Sequence, residues 1–125
     1  MPFADFHAAY FNVRQDGDVV VADVVVPQLT EEENIDQLGQ EFFTLVGQYE
    51  CRRLVVDLSK VEYASSAALG KLITLHRRLH RVDGQLVLCG VTGALAEILT
   101  TSRLMDYFQV TDDVDQAVAR LKASG

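Results

Sequence analysis

Two short apolar runs, residues 53–58 and 85–89, constrain this chain most, because neither alternates polar with apolar residues. Alternation is what a strand with one wet face shows. A near-continuous run marks a strand covered on both sides, as in a parallel sheet layered by helices. Around these runs the apolar period changes from strand-like to helical. Ile35, Leu38, Phe42, Leu45 and Val46 fall on one helix face. Ala68, Leu69, Leu72, Ile73, Leu75, Leu79 and Val82 fall on one half of a second helix. Strands alternating with helices imply right-handed crossovers and mostly parallel pairing.

The remaining elements fit around that frame. Residues 10–14 and 19–26 read as strands joined at the turn Gln15-Asp16-Gly17-Asp18, a hairpin that adds an antiparallel edge, and Pro27 ends the second strand. Thr30 with Glu33 three residues later predicts a capping box for the first helix, and Gly47 closes it. Asp83-Gly84 stops the second helix near Val82. A short helix over residues 94–100 buries Leu95, Ile98 and Leu99, and residues 108–110 form a last strand. Thr111 or Asp112 caps a final helix that turns Val114, Ala117, Val118 and Leu121 inward. The expected architecture is α/β, a small mixed sheet in the order β-β-α-β-α-β-α-β-α packed with about four helices. Residues 1–9 are read as a lead-in, 10–122 as a single domain and 123–125 as a tail.

Composition narrows the function. The 125 residues suit one core, and 49 % of them are hydrophobic, which excludes a disordered chain. Eleven basic residues against eighteen acidic ones give a net charge of −7, spread along the chain. That balance disfavours nucleic acid and anionic membrane as partners. The start of the chain does not read as a secretory signal, and its most apolar segment is too short to cross a bilayer. Cys51 and Cys89 have no metal or redox spacing and read as reduced thiols, so the expected compartment is the cytoplasm. His76 and His80 lie four apart, but no acid or cysteine beside them completes a metal site; they read as packed at the helix margin. No metal and no cofactor is expected.

The chemistry-bearing stretch is Ser65-Ser66-Ala67-Ala68-Leu69-Gly70-Lys71, where the second helix begins. A helix start offers unpaired N–H groups and a partial positive charge. A serine there caps the helix, holds an anion or receives a phosphate, and Ser66 is a candidate for each. The turn lacks the glycine-rich pattern with Lys-Ser/Thr that marks a P-loop. No histidine or acid adjacent in sequence activates Ser66, and Asp57 reads as a loop-bonding residue, so no catalytic residue is assigned. Lys71, Thr74, Arg77, Arg78 and Arg81 occupy the polar half of the helix, read as a solvated stripe or a surface for an acidic partner.

The run from Leu54-Val55-Val56-Asp57-Leu58 through Glu62-Tyr63, followed by Ser65-Ser66-Ala67-Ala68-Leu69-Gly70, resembles the signature of the STAS domain, found in bacterial anti-sigma factor antagonists and in the cytoplasmic tails of sulfate transporters. The strand over residues 85–91 and the segment from Leu104 to Phe108 resemble later parts of that domain. Antagonists of the family usually read Asp-Ser-Ser-Gly-Leu-Gly in this loop. Anchored on Leu69-Gly70, Ser65 stands at the Asp position, Ser66 at the serine that a partner kinase phosphorylates, Ala67 at the second serine and Ala68 at the glycine. The resemblance implies a non-enzymatic partner switch. On that resemblance the domain is expected to bind an anti-sigma factor, a serine kinase with the histidine-kinase-like ATPase fold, through Ser65, Ser66, Ala67, Ala68 and Lys71, and to be regulated by phosphorylation at Ser66, or less favourably Ser65. The alternative is a constitutive interaction module with no phosphorylation cycle, which the loss of the Asp and the Gly favours. Oligomeric state is left open.

Overall fold

The computed structural model describes residues 6–123, arranged as a five-stranded mixed sheet between two unequal helical layers. Strands β1 (Phe11–Asp16) and β2 (Val19–Val24) form the hairpin, in register from Phe11↔Val24 to Asp16↔Val19. A two-residue strand β3 (Gln28–Leu29) leads into α1 (Glu32–Gly47), and β4 (Arg53–Asp57) returns beside β2. A second two-residue strand, β5 (Tyr63–Ala64), precedes α2 (Ser66–Arg81). Then follow β6 (Gln85–Cys89), α3 (Gly93–Thr101), the single turn α4 (Leu104–Tyr107), β7 (Gln109–Thr111) and α5 (Val114–Ala123). The sheet order is β1-β2-β4-β6-β7, with every pairing after the hairpin parallel.

Strand periodicity sorts the core into two clusters. Val20, Ala22, Leu54, Val56, Leu86 and Leu88 point to the layer made by α1, α2 and α3. Val19, Val21, Val55, Val87 and Cys89 point to the opposite face, which α5 covers with Ala117, Val118 and Leu121. Both sets are buried, as the non-alternating runs require. Helices α1 and α2 run side by side in the same direction, since Asp36 meets Lys71 and Phe43 meets Arg78 one helical stretch later. All five residues expected on the inner face of α1 are buried.

Several local expectations are corrected. Thr30 and Glu33 make no capping box; α1 starts after Glu31, which has extended backbone and no side-chain cap bond. Thr30 is drawn out of the cap position because residues 28–29 pair with residues 63–64 as a parallel two-stranded ribbon. The second strand ends at Val24 rather than Val26, and the last strand is shifted one residue on, to Gln109–Thr111. Neither Thr111 nor Asp112 caps α5: Asp113 does, its Oδ1 accepting from the Gln116 N–H at 2.9 Å. Val82 does not join the buried half of α2; it is 40 % exposed just past the helix end. Ile98 is only partly buried, while Leu95 and Leu99 are fully so.

The segment before β1 is tied to the core. The buried Glu41 carboxylate accepts from the Ala9 N–H at 2.7 Å, and Phe6 packs on Phe11 and Tyr49 with ring centroids 5.8 and 5.2 Å apart. Phe11 stacks in turn on Phe42 at 4.5 Å. Residues 1–5 of the expected lead-in and 124–125 of the expected tail lie outside the described residues.

Candidate functional site

The site is built by the loop that carries the chain from the carboxyl end of β4 to the start of α2. Asp57 ends β4 and its Oδ1 accepts from the Ser59 N–H at 3.0 Å, an Asx turn that bends the chain out of the sheet. Gly90, at φ +70°, backs this turn: a Cβ there would sit 2.8 Å from Ser59 and 2.9 Å from Asp57 Oδ1, so only glycine fits. Leu58, Val61 and Ala64 are the buried anchors. Lys60 reaches across to Asp23 at the end of β2, Nζ to Oδ2 2.8 Å, and this hydrogen bond holds the ammonium above its ordinary pKa.

The rest of the loop is fixed by backbone. The Pro27 carbonyl accepts from the Glu62 and Tyr63 N–H groups at 2.7 and 3.3 Å, and the Leu29 carbonyl accepts from the Ser65 N–H at 2.9 Å. Pro27 donates nothing, but its carbonyl is free to receive. The β3–β5 ribbon therefore delivers Ser65 in a set position, independent of the main sheet.

At the helix start the two serines differ. Ser65 has extended backbone, φ −75° and ψ 169°, and its Oγ accepts from the Ala68 N–H at 3.3 Å. Its carbonyl accepts the first helical bond, from the Leu69 N–H at 3.0 Å. Ser65 is thus the N-cap, the role the sequence also offered to Ser66. Ser66 is the first helical residue; it is exposed, and its hydroxyl has no hydrogen-bond partner among the described residues. No acid occupies the first turn of α2, so the partial positive charge there is uncompensated by the chain itself.

The other expected contact residues divide. Ala67 is exposed next to Ser66. Ala68 turns inward, 2 % exposed, and joins the core on the helical side. Lys71 is half-buried against α1: its Nζ lies 3.4 Å from Asp36 Oδ1, and its stem crosses Gly39, where a Cβ would come within 2.8 Å of it. A groove of about 490 Å³ opens between the starts of α1 and α2, lined by Thr30, Glu32, Asp36, Ser65, Ala67 and Lys71. Ser66 is not among the residues that line it. A second, more apolar groove of about 660 Å³ runs between Tyr63 and α3, past Ala94, Glu97 and Ile98. Neither groove was readable from residue spacing, because α1 is brought to α2, and α3 to β5, only by the tertiary fold.

The basic half of α2 is not a uniform solvated stripe. Lys71 leans on α1 and the Arg78 guanidinium lies 4.0 Å from the Phe43 ring centroid, a cation–π contact. Beyond them, His76 packs its ring against Tyr107 and Phe108, with centroids 4.9 and 5.7 Å away, and stands 6.2 Å from His80. Its Nδ1 is buried without a hydrogen-bond partner. Burial, and then the neighbouring His80 charge, push the His76 pKa down. Among the described residues no group of three or more His, Cys, Asp and Glu is placed to hold a metal ion. Both thiols are buried and held protonated: burial pushes Cys51 and Cys89 up to about 12. No helix of the described residues is long and apolar enough to cross a membrane.

Comparison with known proteins agrees with this geometry. BtrV of Bordetella bronchiseptica, which bears the name of an anti-sigma factor antagonist, is 33 % identical over 91 residues, spanning 73 % of this chain and 78 % of that protein. A STAS domain protein of Planctomyces limnophilus, titled an anti-sigma-factor antagonist, superposes with a TM-score of 0.80 at 21 % identity, over 91 % of this chain and 99 % of that one. The Bacillus cell fate determinant SpoIIAA in its phosphorylated form superposes with a TM-score of 0.67 at 16 % identity, over 88 % of this chain and 97 % of its own. The family model for the STAS domain matches residues 10–117, from the opening hairpin into the last helix, and the chain belongs to the STAS domain family.

Proposed function

We propose that the protein is an anti-sigma factor antagonist that works as a cytoplasmic, non-enzymatic partner switch, regulated by phosphorylation of Ser66. One observation carries this reading: the two serines of the helix start are not equivalent. Ser65 spends its Oγ on capping α2, whereas the Ser66 hydroxyl is exposed and unbonded, open to a kinase active site. The name of the Bordetella relative supports the antagonist role. The partner is an anti-sigma factor that is itself an ATP-dependent serine kinase, docking over Ser66 and Ala67 and the groove between the starts of α1 and α2.

The physical consequence of the phosphate follows from where it sits. It adds about −1.5 to −2 charges at neutral pH. The α2 start tolerates an anion, because unpaired N–H groups point toward it. Lys71, the cation on the first two turns, is already paired with Asp36 and its stem is held across Gly39. The new charge is therefore not absorbed by an internal ion pair, and the domain keeps its fold. A docked partner instead meets an uncompensated dianion in a desolvated contact, which costs several kcal/mol unless it supplies its own cations. Binding is lost with no refolding.

The test is incubation with the cognate kinase and ATP, with the phosphate mapped by mass spectrometry. Modification at Ser66, abolished in Ser66→Ala and retained in Ser65→Ala, is the expected result. A chain left unmodified at Ser66 by a kinase that binds it would overturn the switch. Binding that is indifferent to Ser66→Asp would point instead to a constitutive interaction module.

A further inference from the structure

The carboxyl half of α2 carries a feature that the Ser66 end does not use. The helix holds Lys71, Arg77, Arg78 and Arg81 and has no Asp or Glu anywhere along it, in a chain whose net charge is −7. Lys71 is the member already neutralised. The three arginines crowd the last turns, where two grooves meet and share Arg81. One, of about 260 Å³, is lined by Arg52, Arg78, Arg81, Phe43 and Val82. The other, of about 450 Å³, is lined by His76, Arg77, His80, Arg81 and Tyr107. Among the described residues no carboxylate lines either one.

The arginines are held at different tensions. Arg52 donates to the Val46 and Cys51 carbonyls at 3.1 and 3.2 Å, and Arg78 lies over Phe43. These two are pre-positioned. Arg77 and Arg81 are exposed and enter no ion pair among the described residues. Two of the large apolar side chains left exposed, Val82 at 40 % and Tyr107 at 41 %, border the same grooves. Arginine with an aromatic residue around a concave surface is the composition that carries binding energy at protein interfaces.

We infer that this surface is a second docking site, for an acidic segment of another protein that bears a bulky apolar anchor. Its carboxylates would take Arg77 and Arg81 as bidentate partners, and the anchor would lie against Tyr107 in the groove that both arginines line. Charge complementarity selects that occupant. A second copy of the chain brings a like net charge, and nucleic acid meets the same overall repulsion. Arg77 and Arg81 lie about 16 to 22 Å further along the helix axis than Ser66. A partner on the Ser66 end therefore leaves this end open, and the two sites can be filled together, whatever the phosphorylation state of Ser66.

The probe is a synthetic peptide rich in Glu and Asp with one central Phe, alongside its Gln/Asn counterpart, titrated into the full chain while amide NMR shifts are followed. The expected result is saturable shifts confined to residues 76–82 and Tyr107, weakened at least about tenfold in Arg77→Glu/Arg81→Glu and weakened by added salt. The milder Arg77→Gln/Arg81→Gln pair guards against a folding defect, and circular dichroism checks both. Ser66→Asp is expected to leave the titration unchanged, which separates this site from the Ser66 switch. Equal binding of the neutral peptide, shifts scattered over the surface, or no binding would overturn the inference. So would a charge-reversible self-association in sedimentation, or tighter binding of duplex DNA than of the acidic peptide.

Discussion

The two ends of α2 belong to one helix but are built on opposite principles. At the start, position is set chiefly by hydrogen bonds to backbone groups: the Pro27 and Leu29 carbonyls, the β3–β5 ribbon and the Ala68 N–H that the Ser65 hydroxyl caps. The side chains of the first turn are small and uncharged, and the Ser66 hydroxyl has no hydrogen-bond partner among the described residues. At the finish, the surface is made by long cationic side chains: Arg78 lies over Phe43, and Arg77 and Arg81 border the grooves that Tyr107 and Val82 help to line. The first end is suited to a small covalent change that a partner reads as charge. The second is suited to a standing charge that a partner must match. Between them, Leu72, Leu75 and Leu79 fix the helix to the sheet, so neither end is free to move relative to the other.

The largest expected effect comes from breaking what the ends share. Leu75 is fully buried at the centre of α2, and Leu75→Ala is expected to cost about 2–5 kcal/mol in urea unfolding, degrading both ends together. An effect at one end alone would show that the helix is not one rigid unit. Next, Ser66→Asp separates function from stability. Partner binding is expected to fall by about tenfold or more, while the fold gains about 0.3–1 kcal/mol, because an acid at the first helical position complements the helix dipole. Calorimetric binding and thermal unfolding on the same sample check both signs.

Ser65→Ala is expected to cost about 1 kcal/mol by loss of the cap, with Ser66 still modified by the kinase. If Ser66 modification disappears with it, the cap and the acceptor are a single unit. Lys71→Ala is expected to cost less than about 1 kcal/mol, since its ion pair with Asp36 is part-exposed and screened. The smallest effect lies at the carboxyl end. His76 has a folded pKa below its ordinary 6.5, so the unfolded chain binds its proton more tightly. Stability from this group is present above that value and is lost as the pH falls through 6.5 toward the lower folded pKa. A stability profile in which His76→Gln flattens that acid-side slope is the expected observation; an unchanged slope would assign it elsewhere.

Several of these features are legible in the amino-acid sequence. The two non-alternating runs announced doubly covered strands, and both cores fill as they require, because a side chain's face is set by strand parity. The inner face of α1 followed from helical spacing for the same local reason. What failed was local reasoning about caps. The Thr30 and Glu33 pattern is a sound capping box in isolation, and it lost to the pairing of residues 28–29 with residues 63–64, which are far off in sequence. The same ribbon handed the α2 cap to Ser65 and left Ser66 free.

The sequence by itself determined the α/β alternation of the main sheet, though not the short β3, β5 and α4, together with the strands that would be buried and the presence of a serine pair at a helix start, since these depend on period and nearest neighbours. Only the tertiary structure decided which serine is tied and which is open, that Lys71 is spent on Asp36, and that Arg77 and Arg81 share a hollow with Tyr107. Those outcomes rest on contacts between segments many residues apart, and such contacts exist only once the crossovers have laid the helices side by side on the sheet.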